Sequence, residues 1–539
     1  MIMTVNKPHS VRFAPAFADQ EHRMSIPVLL GIDLGTSSVK VSAITSDGSE
    51  IAHGSSDYHQ SRSVTTRSPA SLEGWWNGIR QAVLSALSGQ DIEVAAVGLS
   101  GQMHGVVLLN AEGTAVIPPV LWDDMRAAPY LPLLNQQAAP FRRSLRNRPT
   151  PGFAASILFW LARSQPQLLA ATRCVLQPKD WVGFRLTGQI FAEPSDASAT
   201  GLWDFDRSAW HDRFCQAISI NPALLAPIRR SDQIRGVLLE TAAQDLGLPP
   251  GIPVTLGLAD TAAGLLGSSA QLTPGQNILS IGTGGQLSQI LSELEDSFPA
   301  GIMGLAGPPD HNYLMAPTYS AGLGLDWVRR LWSLRWEDLY EAAFSVSPRS
   351  SLPLFAPFSP VATVLGHGGA KPDVHAANTV VANWLDLSLG HSRAHLIRAA
   401  VEGSIYALRH ARDLLLSCPH AKVIDTCTLV GGGARDERVK QLVADILGVP
   451  VYCPDLLNAS SRGAALIAAV AAGWFTSVQD AARAFARPLS VSIPDPSATD
   501  AHSERFERFE NAMAAPSRRA DENDRSPSPL PATRRCDST

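Results

Sequence analysis

Two carboxylates in this chain each follow a short apolar run and stand beside glycine and threonine. One is Asp33 in Gly31-Ile32-Asp33-Leu34-Gly35-Thr36-Ser37; the other is Asp260 in Gly257-Leu258-Ala259-Asp260-Thr261. Glycine lets a backbone approach a ligand closely, and Gly35-Thr36-Ser37 can form a tight turn whose N–H groups and hydroxyls face a phosphate. Asp33, just before that turn, can hold Mg²⁺ directly or through water. An ordinary hairpin turn with an incidental carboxylate fits the same residues. Asp260 can accept a proton from an attacking hydroxyl. It also precedes a small-residue helix, so a helix cap explains it too, and both can hold.

Three further segments carry chemistry. Gly282-Thr283-Gly284-Gly285 offers a second phosphate-facing turn or, equally, a plain glycine-rich hairpin. Gly431-Gly432-Gly433-Ala434 follows an apolar strand and would let a flat ring lie against bare backbone. It is neither a Walker A loop nor G-x-G-x-x-G, and a tight strand-to-helix turn accounts for it as well. Gln102-Met103-His104 follows a strand end, where α/β folds place ligand groups, and amide and imidazole suit a polyhydroxylated ligand. Leu121-Trp122-Asp123-Asp124 adds an aromatic wall and carboxylates, or else a helix start with a buried tryptophan.

These groups need strands and helices behind them. Residues 26–32 read as a buried strand and 39–44 as a second, with Asp47-Gly48 turning into a third at 50–52. Residues 71–87 have helical spacing, and 94–99 form the next buried strand, giving an α/β layer pattern. Residues 249–253 are rich in proline and glycine, and the domain junction is expected there. The second half restarts with a strand pair around Gly282-Thr283-Gly284. A helix is expected at 394–412, a strand at 423–430, and helices at 435–447 and 461–472. Two halves that both open with strand, glycine turn, strand suggest a structural duplication. The expected division is 1–26 as a disordered extension, 27–252 and 253–513 as two domains, and 514–539 as a disordered tail.

At 539 residues the chain exceeds what one core supports, so two domains are the starting expectation. A net charge of −5 supplies no phosphate-attracting field and argues against a nucleic-acid partner. Six scattered cysteines without a C-x-x-C pair read as reduced intracellular thiols. The first 25 residues lack an apolar core like that of a secretory signal, and no apolar run is long enough for a membrane span. A cytoplasmic protein follows.

With its segments side by side, the chain resembles the FGGY family of carbohydrate kinases, and within it the xylulokinase branch, over roughly residues 28–510. Gln102-Met103-His104-Gly105 carries that branch resemblance, with Pro178-Lys179-Asp180, Leu186-Thr187-Gly188, Ser195-Asp196-Ala197 and 460–465. The resemblance implies two actin-like (ribonuclease H-like) ATPase domains with ATP and sugar meeting in the cleft between them. It implies Asp260 as catalytic base and sugar contact, and Asp33 as the acidic residue near metal and phosphate. Gln102, Met103, His104, Trp122 and Asp124 fall on the sugar side. Thr36, Ser37, Gly282, Thr283, Gly284 and Gly431, Gly432, Gly433, Ala434 fall on the nucleotide side. The implied reaction moves the γ-phosphate of ATP, with Mg²⁺, to the 5-hydroxyl of D-xylulose. The partners are then a small sugar and ATP, and a homodimer is compatible.

The chain departs from the family pattern at four places. Ile157 stands where a lysine is usual, and 356–363 replaces a G-E-R-T-P segment. Asp386 takes the place of a glycine, and Asp123 that of an asparagine. By the resemblance, Asp123 falls where it can add negative charge near the sugar. A kinase for another ketose or polyol is therefore the alternative, and a non-catalytic sugar- or nucleotide-binding homologue is a third reading.

Overall fold

The computed structural model describes residues 25–58, 71–282, 284–318, 321–347, 351–357, 382–456 and 458–514. The expected terminal extensions, and Thr283, lie outside the described residues apart from residues 25, 26 and 514.

The first sheet opens with an antiparallel meander, β1 (Ile26–Leu34), β2 (Ser38–Ile44) and β3 (Glu50–Asp57). Helix α1 (Leu72–Leu87) follows, its start capped by the Ser71 side chain accepting from the amide of Gly74. β4 (Ile92–Gly101) returns parallel to β1. A long insertion follows: helices α2 (Pro178–Thr187), whose Trp181, Val182 and Leu186 pack with the first sheet, and α3 (Pro194–Ser198), beside a separate apolar cluster around Leu158, Phe159 and Phe214. Ile157 packs in that cluster, so the family's usual lysine is replaced here by core. β5 (Ile234–Val237), β6 (Pro253–Thr255) and β7 (Leu258–Ala259) complete the sheet, in the order β3-β2-β1-β4-β6-β5 with β7 beside β4.

The second sheet repeats the plan. β8 (Asn277–Ile281) and β9 (Gly285–Leu291) form a hairpin, β10 (Met303–Ala306) and β11 (Asn312–Thr318) extend it, and β12 (Cys427–Val430) and β13 (Val451–Pro454) run parallel to β8. With β14 (Leu489–Ser492) at the edge, the order is β10-β11-β9-β8-β12-β13-β14. Both sheets place an antiparallel meander on one side and parallel strands on the other.

The junction expected at 252 is corrected. β6 and β7 pair with β4, so residues 253–259 finish the first sheet, and the second sheet begins only at Asn277. The Pro/Gly-rich turn at 249–253 leads into a strand rather than out of a domain. The strand expected from 423 starts at Cys427; ahead of it the Gln289 side chain bonds the amide and carbonyl of Lys422 (2.7 and 2.8 Å), and Asn277 Nδ2 donates to the Thr426 carbonyl at 3.2 Å. The helix expected from 435 starts at Glu437, where Asp436 caps it after a 3₁₀ turn at Gly432–Arg435.

The layer between the sheets is a helix pair, α4 (Asp260–Ser268) and, after α5 (Arg393–Leu416) and α6 (Glu437–Leu447), α7 (Ala459–Ala471). One apolar cluster joins Leu29 and Ala96 of the first sheet, both helices, and Ile278, Tyr313 and Met315 of the second. β1 alternates: Val28, Leu30 and Ile32 face the α1 side, while Leu29 and Gly31 face α7. Gly31 and Gly98 are register partners on adjacent strands. A Cβ on either would lie 1.8 Å from a carbonyl oxygen of α7, Ser461 or Ala464. The paired glycines make a side-chain-free groove that the helix fills. Gly98→Ala should therefore cost about 3 kcal/mol or more, since the clash is with backbone that cannot rotate away. Chemical denaturation would check it; an unchanged midpoint would contradict the close packing.

The five cysteines among the described residues are buried and free. No helix among the described residues is long and apolar enough to cross a membrane. Asp386 takes φ +59°, a left-handed conformation natural to the glycine it replaces and tolerated by Asp, and its carboxylate pairs with Arg508. Of the divergent 356–363 segment only Ala356 and Pro357 are described.

Candidate active site

Asp33 and Asp260 leave the first sheet at the same edge. Asp33 is the penultimate residue of β1, in register with Ser100 on β4 and Lys40 on β2. β7 pairs Leu258 and Ala259 with Ser100 and Gly101, so Asp260 emerges one residue beyond the same strand. The Ser100 hydroxyl donates to Asp33 Oδ1 at 2.9 Å. Asp33 is 5% exposed, and burial raises its pKa against the pull of Lys40 and Ser100. Asp260 is raised to about 7, by burial first and then by the charge of Asp33; Thr261 and Lys40 oppose the shift. A carboxylate near neutrality is matched to proton transfer at physiological pH.

Asp260 is not the helix cap that its position suggests. Ala259 occupies the cap, and Asp260 is the first helical residue, its Oδ1 accepting from the adjacent Thr261 amide at 2.6 Å. Its carboxylate still accepts from one first-turn amide, but from inside the helix rather than from the cap position.

The loop after β4 supplies the neighbouring groups. Gln102 is 1% exposed, and neither Nε2 nor Oε1 has a partner among the described residues. Its amide thus has both a donor and an acceptor to offer a ligand hydroxyl. Met103 is buried, with the Tyr313 hydroxyl 3.8 Å from its sulfur. His104 holds φ +73°, an uncommon conformation for a non-glycine residue. Its Nδ1 lies 2.6 Å from the Ala199 carbonyl, and its ring stacks on Phe153 at 4.7 Å. A carbonyl only accepts, so Nδ1 carries the proton and Nε2 is left as an acceptor. Burial lowers the His104 pKa to about 4, which keeps the ring neutral.

Trp122 Nε1 donates to Thr36 Oγ1 at 3.3 Å, joining the aromatic wall to the first turn. Asp124 is otherwise engaged: both oxygens are held in the fork of Arg126, at 2.9 and 2.6 Å, and that guanidinium lies over Trp160. The geometry ties Asp124 to a surface ion pair and not to His104 or Asp260.

Ser37 lies in the turn joining β1 to β2, closed by the Gly35 amide on Ser38 O at 3.0 Å. Gly282 and Gly284 occupy the equivalent turn between β8 and β9, exposed and joined at 2.9 Å. The two turns are thus topological equivalents. Gly431 takes φ +94°, and a Cβ there would lie 2.6 Å from Ile281 O; one on Gly433 would lie 2.4 Å from the Ile281 side chain. Gly432 alone of the three faces open space. Ala434 is partly exposed at the end of the same turn, and a small apolar cavity beside Gly433 is lined by Ile281, Ala321, Leu325 and Tyr340.

Sequence reasoning missed Lys40, Phe153, Ala199 and Tyr313. Lys40 was visible as the one charged residue of β2. The other three carry no local signal, since each reaches the site from a distant segment.

Residues 28–267 match the FGGY family of carbohydrate kinases, N-terminal domain, and residues 278–472 match its C-terminal domain. The chain belongs to the FGGY family of carbohydrate kinases. Among its FGGY relatives, the xylulose kinase of Bacillus subtilis (strain 168) is 29% identical over 490 residues, covering 90% of this chain and 96% of that protein. The xylulose kinase of Escherichia coli (strain K12) is 32% identical over 425 residues, covering 78% and 84%. A solved gluconate kinase from Lactobacillus acidophilus shares the FGGY fold at TM-score 0.78 with 20% identity, over 91% of this chain and 99% of that one. Family membership makes the chain a carbohydrate kinase of two α/β domains with a cleft.

Proposed function

We propose that this FGGY kinase is a cytoplasmic enzyme that transfers the γ-phosphate of ATP to the 5-hydroxyl of D-xylulose. The observation that carries the proposal is Asp260, a carboxylate raised to about 7 at a strand end beside Asp33. The oxygen of the sugar hydroxyl attacks the γ-phosphorus, the bond to the bridging oxygen of ADP breaks, and Asp260 takes the hydroxyl proton. His104 Nε2 accepts from a second sugar hydroxyl, and the Gln102 amide both donates and accepts. Thr36, Ser37, Gly282 and Gly284 flank the phosphates; Gly431, Gly432, Gly433 and Ala434 flank the base.

Mg²⁺ fits the donors present. No group of three or more metal-ligating side chains occurs among the described residues. A single carboxylate such as Asp33, completed by phosphate oxygens and water, is how Mg²⁺ is commonly held. When bound, the ion neutralises phosphate charge.

The xylulose kinases among the relatives support the sugar choice, whereas Asp123 and the likeness to a gluconate kinase favour testing other acceptors. A panel of pentuloses, hexuloses, polyols and gluconate, ranked by kcat/KM, is expected to place D-xylulose at least tenfold ahead. A different leader would move the substrate while keeping the reaction.

A further inference from the structure

Five charged side chains are buried together behind the base. Lys179, Asp180, Glu193 and Asp196 are 0% exposed and Arg235 2%. Lys179 Nζ lies 2.8 Å from Asp180, 3.3 Å from Asp196 and 3.6 Å from Glu193, and Arg235 lies 2.6 Å from Asp180. Burial first, then the charges of Asp180 and Glu193, raise the Asp196 pKa well above its ordinary value. Such a cluster is costly to bury and is weak evidence for stability by itself.

Its contacts lead to the site. Glu193 accepts from the amides of Ser195 and Asp196 (both 2.9 Å) and from the hydroxyls of Ser195 (2.7 Å) and Ser231 (2.6 Å). The Ser195 hydroxyl, oriented by that carboxylate, accepts from the amide of Ala259 at 2.8 Å. Ala259 is the uncapped start of α4, immediately before Asp260. Lys179 also donates to the carbonyl of Leu256 at 3.2 Å, so the strand leading to Asp260 is held at both ends. The same segment offers the Ala199 carbonyl to His104.

We propose that Ser195 is a positioning residue: its hydroxyl, aimed by Glu193, fixes the Ala259 amide and thereby the carboxylate of Asp260. The inference rests on the reading of Asp260 as base. Small misplacements of a catalytic group cost rate more than binding.

Steady-state kinetics of Ser195→Ala and Ser195→Cys test it; Cys fills the space but is a poor acceptor. Both variants are expected to lose about tenfold or more in kcat, with KM for MgATP unchanged and thermal melting within a few degrees of the parent. Unchanged kcat in both would overturn the proposal. So would loss in the Ala variant alone, which would mean packing, or loss tracking the folded fraction. Asp260→Asn separates the two claims. If it retains turnover, the base assignment fails, and any Ser195 effect does not act through it. If it is inactive while the Ser195 variants are normal, only the positioning claim fails.

Discussion

Asp260→Asn is expected to lower kcat by about 10²–10⁴-fold, the usual contribution of a general base, while ATP still binds. Asparagine keeps the oxygen that accepts from the Thr261 amide, so local geometry has no reason to change. The same substitution should act on stability in the opposite direction. The folded-state pKa of Asp260 is raised from its ordinary value to about 7. Stability from the protonated form is thus fully present below about pH 4 and is lost as pH rises to about 7. Asparagine stays neutral throughout. The unliganded variant should melt higher than the parent at pH 8, and the gap should close toward pH 4. A variant both slow and less stable at pH 8 would argue against a buried, strained carboxylate at this position.

Asp33→Asn is the second large effect, with a fall in kcat of about 10²–10³-fold expected from lost charge stabilisation at the phosphates. It carries a distinguishing sign. Asp33 is a secondary cause of the raised Asp260 pKa, after burial. Removing its charge should shift the acid limb of the kcat/KM profile below about pH 7, even as the plateau drops. An easier base with a slower reaction separates Asp33's role at the phosphates from any role as the base. A normal plateau would remove Asp33 from the site, and an unshifted limb would remove the coupling between the two carboxylates.

Local patterns carried much of this fold, and their limits are physical. β1, β2, β4 and α1 could be placed because continuous apolar runs and 3.6-residue spacing follow directly from burial. The glycines were legible as important but not in what they do. Gly31 and Gly98 make room for a helix more than 360 residues further along the chain, and Gly431 and Gly433 pack on Ile281. The junction was misplaced because Pro/Gly punctuation marks a turn without revealing which sheet the next strand joins. Asp33, Asp260 and His104 were nameable from their segments. Lys179 and Asp196 could be quoted as a pattern, but only the fold shows that they pair with each other and that Arg235 joins them through Asp180. Asp124 stood beside a tryptophan in sequence, yet Arg126 two residues on takes both of its oxygens.

The measurement that bears most directly on the central claim is ADP release from MgATP with and without D-xylulose, with the sugar product identified. Release that depends strongly on the sugar, accompanied by D-xylulose 5-phosphate, is the expected result. Folded protein that binds ATP yet releases no ADP with any sugar would contradict the account and favour a binding-only homologue.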